Sequence, residues 1–102
     1  MLPMTETETY LVPNVRTEIL ADANEILNGD REAEYGKPED NFKRIAELWS
    51  VVLETEVEPY QVALCMALLK AARLVNTPMH KDSYVDMAGY VALAGELAGI
   101  ED

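Results

Sequence analysis

Lys70 and Arg73 stand three residues apart inside an apolar run, YQVALCMALLKAARLVN, that begins at Tyr60, and Asp82 and Asp86 stand four apart just downstream, in DSYVDMAGY. On a helix, each spacing puts both members of the pair on one face. The run from Tyr60 is apolar on every side in its first half, the pattern of a helix enclosed by its neighbours. The face of Asp82 and Asp86 continues through Gly89, Tyr90, Leu93 and Leu97, so it is expected to line the core or a groove. Ions held where water is scarce must pair or bind something, because an isolated buried charge costs many kcal/mol. Two readings follow. The four side chains form a structural ion network between two helices, or they form a ligand site. In the second, Asp82 and Asp86 offer oxygens to a hard divalent ion such as Mg²⁺, which takes one or two carboxylates together with waters and substrate phosphates. Lys70 and Arg73 then hold phosphate oxygens, Lys as a point charge and Arg with its planar fork. Buried networks contribute weakly to stability, so four such charges in a small chain invite the ligand reading. Asp82 also suits a plain helix N-cap.

Other polar residues join as lesser candidates. Tyr35 and Gly36 precede Lys37-Pro38, ordinarily a turn with an aromatic anchor; as a site, Gly36 would bring its backbone close to a ligand and Tyr35 would stack on a base. Asn41 is an amide beside an apolar stripe, available to a buried helix end or to a ligand. Glu47 falls with Lys43 on a polar face and becomes a metal ligand only where that face turns inward, as in an oligomer. His80, in the turn Met79-His80-Lys81, is an ordinary loop histidine or a phosphate contact. The sequence holds no phosphate-loop motif, no dinucleotide fingerprint, no zinc-protease motif and no Cys/His cluster, which excludes phosphate-loop nucleotide enzymes and zinc enzymes.

Four helices are expected to position these residues. Asn14 caps the first, whose apolar stripe is Val15, Ile19, Ala23, Ile26 and Leu27 and whose stop is Gly29. Glu18, Asp22 and Glu25 lie on its other, solvated face. A loop around Gly36 and Pro38 leads to a second helix from about Asp40, with Phe42, Ile45, Trp49 and Val52 inward. The third opens at Glu58-Pro59, an acid at the positive helix end and a proline at the first position, and the fourth carries DSYVDMAGY. Small residues near its end (Ala92, Ala94, Gly95, Ala98, Gly99) permit close helix contact. No segment alternates with period two, so the chain is read as all-α: a small four-helix bundle-like domain over residues 14–102, preceded by a flexible tail over residues 1–13.

The 102 residues suffice for one core and would gain from assembly into a homo-oligomer. With 19 acidic residues against eight Lys and Arg, the net charge of −11 argues against binding DNA or RNA through phosphates. A small nucleotide needs only a local cationic pocket, and a host protein remains a candidate partner for the acidic surface. No charge-free apolar run of about 18 residues is present, so no membrane span is expected. The lone Cys65 and a first segment without a basic-then-apolar signal suit a reducing cytoplasm.

The motifs YG at 35–36, Asn41, IAELW at 45–49, LLKAARL at 68–74 and DSYVDMAGY at 82–90 resemble a small, uncharacterised all-helical family found in phages and prophages, over about residues 30 to 95. More loosely, helical acids followed by a D-x-x-x-D helix are similar to the all-α, MazG-like nucleoside triphosphate pyrophosphohydrolases. That resemblance implies a homo-oligomeric, Mg²⁺-dependent hydrolase releasing pyrophosphate, with Asp82, Asp86 and Glu47 around the metal and Lys70 and Arg73 on phosphates. The MazG-like pattern has paired ExxE and ExxD acids, whereas this chain offers a single Glu47 and DxxxD. The expectation is therefore a phage protein that binds, and in the stricter form hydrolyses, a phosphorylated nucleotide in the host cytoplasm. The alternatives are a non-catalytic interaction protein with a structural charge network and a nucleotide-sequestering protein.

Overall fold

The computed structural model describes residues 14–29 and 36–101. Within them the chain forms helices α1 (Val15–Asn28), α2 (Pro38–Leu53), α3 (Pro59–Asn76) and α4 (Lys81–Leu97), with no strand among the described residues. The fold is all-α, as expected. The tail at residues 1–13 lies outside the described residues.

Local chemistry sets the helix ends. Asn14 Oδ1 accepts the Thr17 backbone N–H at 2.8 Å, satisfying one free donor of the first turn of α1. At the far end, Gly29 packs so tightly that a Cβ there would sit 2.5 Å from the Glu25 carbonyl oxygen. α2 begins two residues before Asp40, because Pro38 occupies a first-turn position where its missing N–H and fixed φ cost nothing. Glu39 and Asp40 complement the positive end of the same helix. Its C-cap, Glu54, adopts a left-handed φ of 53°. Ser50 then bridges to the next helix: its Oγ donates to Ala46 O at 2.7 Å and accepts Val57 N–H at 2.9 Å. Gln61 Oε1 accepts Glu58 N–H at 2.9 Å, one half of a capping box at the start of α3.

α3 and α4 form an antiparallel hairpin and pack along their lengths; α2 packs on α3 and α1 on α4. Phe42, Ala46, Val62, Ala63, Leu93 and Ala94 make the buried core, with Trp49, Met66 and Tyr90 partly buried against it. Phe42 and Tyr90 meet edge to face, ring centroids 6.4 Å apart, a geometry favoured by the ring quadrupoles.

The expectation that α3 is enclosed on all sides is corrected. Its inner face (Val62, Ala63, Met66, Ala67) is covered, while Leu64, Leu68 and Val75 on the opposite face are exposed. The cause is that α1 and α2 lie on one side of the α3–α4 hairpin. Two members of the expected inner stripes also differ: Val15, in the first turn of α1, and Val52, near the C-terminal end of α2, are both exposed.

Candidate functional site

All four helices wall one pocket of about 380 Å³, within the roughly 300–1,000 Å³ range of small-molecule sites. α1 contributes Ala23, Ile26 and Leu27; α2 and its lead-in contribute Gly36, Asn41 and Phe42; α3 contributes Met66 and Lys70; α4 contributes Asp86, Gly89 and Tyr90. The wall is apolar except at a few points. The foremost is an ion pair in which Lys70 Nζ lies 3.0 Å from Asp86 Oδ2, the side chains 15 and 30 % exposed. Lys70 sits on the inner stripe of α3, one turn after Met66, and Asp86 on the inner stripe of α4, one turn before Gly89 and Tyr90. The α3–α4 hairpin thus brings them together.

Of the expected four-charge cluster, only this pair forms. Arg73 is exposed: it is turned away from Lys70 on α3 by about 60°, and its side chain lies outside the pocket wall. Asp82 is exposed in the first turn of α4 and is not its N-cap; the cap position belongs to His80. Glu47 is exposed next to buried Ala46, on the part of α2 that faces away from the core. Hence Asp82, Asp86 and Glu47 do not converge, and among the described residues no group of three His, Cys, Asp or Glu side chains gathers to hold a metal. Gly36, with φ +83°, and Asn41 do line the pocket. Tyr35 lies outside the described residues.

His80 is used locally: its Nδ1 is 2.6 Å from the hydroxyl of Ser83, a residue with no solvent exposure. Tyr84 Oη donates to Pro78 O at 2.8 Å and so fastens the α3–α4 turn. Among the described residues no buried side-chain nitrogen or oxygen lacks a partner. A further contact escaped sequence reasoning. Lys81 Nζ reaches Asp22 at 3.4 Å and Glu18 at 3.5 Å, tying α4 to the face of α1 that was expected to be merely solvated. The hydrogen bond to Asp22 raises the Lys81 pKa above its ordinary 10.5, with both carboxylates adding and desolvation opposing. A lysine at the start of one helix and two acids one turn apart on another were the available signal, but only the tertiary fold pairs them.

These features define a small four-helix domain with a ligand-sized cleft between its helices. Residues 18–98 match the family described as a domain of unknown function, DUF6378, and the chain belongs to that family. The chain is 47 % identical over 72 residues to the Gene 55 protein of Mycobacterium phage D29, an alignment covering 71 % of this chain and 48 % of that protein. It is 41 % identical over 85 residues to the Gene 55 protein of Mycobacterium phage L5, covering 82 % of this chain and 54 % of that one. The chain thus spans about half the length of these relatives. No solved structure matches it. The resemblance to a small phage family of unknown function is met, and none of these matches carries the looser MazG-like resemblance. Among the described residues no helix is long and apolar enough to cross a membrane.

Proposed function

We propose that the pocket binds a small phosphorylated nucleotide, its charged end at Lys70 and its base among the apolar and aromatic walls. The observation that supports this reading is the Lys70–Asp86 pair set in the wall of an otherwise largely apolar cleft. Small-molecule sites combine such walls with a few polar groups that fix orientation. Lys70 is a point charge on a flexible stem, able to exchange Asp86 for a phosphate oxygen. Asp86 is then released to accept a sugar hydroxyl or a base amine. The Asn41 amide and the Gly36 backbone extend the polar rim. Arg73 and His80, outside the pocket wall, take no part.

Protein ligands alone do not make a Mg²⁺ cage here, because Asp86 is the one acid among the described lining residues. In this reading Mg²⁺ arrives only with the nucleotide phosphates, as that ion commonly does. The reading is of binding in the host cytoplasm, as a carrier or a sequestering protein. Pyrophosphate release by a MazG-like hydrolase is the stricter claim.

The test is a thermal-shift screen against nucleoside mono-, di- and triphosphates and cyclic nucleotides, with and without Mg²⁺, followed by product analysis. A ligand at about 100 times its Kd stabilises by about 2.7 kcal/mol, or roughly 10–20 °C in Tm for a domain of this size. The shift is expected in the parent and absent in Lys70→Met. An intact nucleotide supports the binder; released pyrophosphate supports the hydrolase. No shift with any nucleotide overturns both and leaves Lys70–Asp86 as a structural tie. The second reading, a non-catalytic interaction protein, then gains from the exposed apolar face of α3.

A further inference from the structure

Gly89 stands at the middle of α4, and the packing of the fold does not account for a glycine there. In a helix interior glycine is the least favourable residue after proline. That cost is ordinarily accepted where the backbone is left-handed or where a neighbour comes too close for a side chain. Gly36 and Gly99, with φ of +83° and +101°, meet the first condition, and Gly29, crowded by the Glu25 carbonyl, meets the second. Gly89 meets neither. It is helical and buried, yet among the described residues no side chain and no other helix comes within 4 Å of where its Cβ would stand. It faces the cavity, one turn after Asp86 and one turn before Leu93 on the same wall. The missing methyl group is therefore open space inside the cleft.

We propose that Gly89 is the floor on which the flat ring of a nucleobase lies, and so the residue that fits the cleft to an aromatic heterocycle. The proposal rests on the nucleotide reading of the same cleft and names what holds the base. Three features support it. The ion pair fixes the charged end: Lys70 Nζ lies 3.0 Å from Asp86 Oδ2. Gly89 is about 4.5 Å further along α4, so a phosphate at Lys70 sets the body of the ligand over it. Next, Phe42, Tyr90 and the Asn41 amide border the same cleft, offering aromatic surface to the ring and a donor and an acceptor to its edge. Last, the space left open is that of one methyl group. A flexible chain bends round a methyl, whereas a rigid plane loses contact along its whole face, so bare backbone favours a flat occupant.

The experiment pairs thermal unfolding of the ligand-free chain with calorimetric titration of nucleosides and their 5′-phosphates, for the parent, Gly89→Ala, Gly95→Ala and Lys70→Met. Gly95 is the control: it also lies inside α4, its Cβ would make an ordinary 3.7 Å contact with Ile100, and it is outside this cleft. Without ligand, both alanines are expected to raise Tm by about 3–8 °C through helix propensity. With ligand they part. Gly89→Ala weakens nucleotide binding by about 10–200-fold, the range that a single methylene commands in an apolar pocket, while Gly95→Ala leaves binding unchanged. A ligand-free Gly89→Ala with a Tm at or below the parent's overturns the proposal, because its Cβ then has no free space. A Gly89→Ala that binds nucleotides as tightly as the parent also overturns it, with the nucleotide reading intact. Nucleosides that bind the parent and Lys70→Met alike, but Gly89→Ala weakly, refute the phosphate contact and support the base floor. Absence of binding by any nucleoside or nucleotide to the parent overturns both together.

Discussion

Replacing Asp86 by Ala removes the carboxylate 3.0 Å from Lys70 Nζ and leaves the ammonium in a wall where its side chain is 15 % exposed. Breaking a fully buried pair costs about 3–5 kcal/mol, and breaking an exposed one about 0–1 kcal/mol. This pair opens onto a cleft that admits water, which places the cost near ~2 kcal/mol, or roughly 8–16 °C in Tm at this chain length. The reverse change, Lys70→Met, strands a carboxylate that is 30 % exposed and better hydrated, so its cost is about half as large. Replacing both, as Lys70→Met with Asp86→Leu, removes both ions and fills the space with apolar atoms, so stability returns to within ~1 kcal/mol of the parent. The assay is thermal unfolding followed by circular dichroism at one fixed protein concentration, since association would itself move Tm. A Tm for Asp86→Ala within about 2 °C of the parent refutes the reasoning. So does a double variant as unstable as the sum of the singles.

Other consequences follow from the helix ends and surface ties. Glu54→Gly relieves a left-handed φ of 53° at the end of α2 and is expected to stabilise by about 0.5–1 kcal/mol, seen as a higher urea midpoint at unchanged slope; an unchanged midpoint would count against strain there. Lys81 has a raised folded pKa, so its tie between α4 and α1 is fully present below pH 10.5 and is lost as pH rises through the raised value. The Tm gap between the parent and Lys81→Met should therefore close across that alkaline range, and a gap that stays constant through it would refute the tie.

Much of the fold was legible because local chemistry dictates it. Asn14 caps α1, Glu58 and Pro59 open α3, and Gly29 ends the first helix where a Cβ would meet the Glu25 carbonyl. Residues near the helix middles also took their expected faces: Ala23, Phe42, Lys70, Asp86 and Leu93 all look into the core or the pocket. What failed was judgement about where neighbouring helices stop. Periodicity assigns Asp82 and Asp86 to one face, but Asp82, in the first turn, is exposed although its neighbour Ser83 is fully buried. Arg73 similarly falls off the edge of the face that holds Lys70. Apolar periodicity likewise cannot tell a covered stripe from an exposed one, and Leu64, Leu68 and Val75, which look like core in sequence, are exposed. The pairing of Lys81 with Glu18 and Asp22 joins residues about 60 apart in the chain, a contact no local signal carries.

The pocket draws its walls from the first helix and the last, and α1 meets the rest of the domain chiefly through α4. The hairpin of α3 and α4 is joined by a short turn, whereas α1 docks on α4 across most of the chain, a contact with a larger loop-closure cost. Undocking of α1 alone would open the cleft while the hairpin keeps its own contacts. Ala23, Ile26 and Leu27 form both a wall of the cavity and its removable door. A ligand in the cavity would hold that door shut, so amide exchange in α1 is expected to slow more on its addition than exchange in the hairpin beneath it.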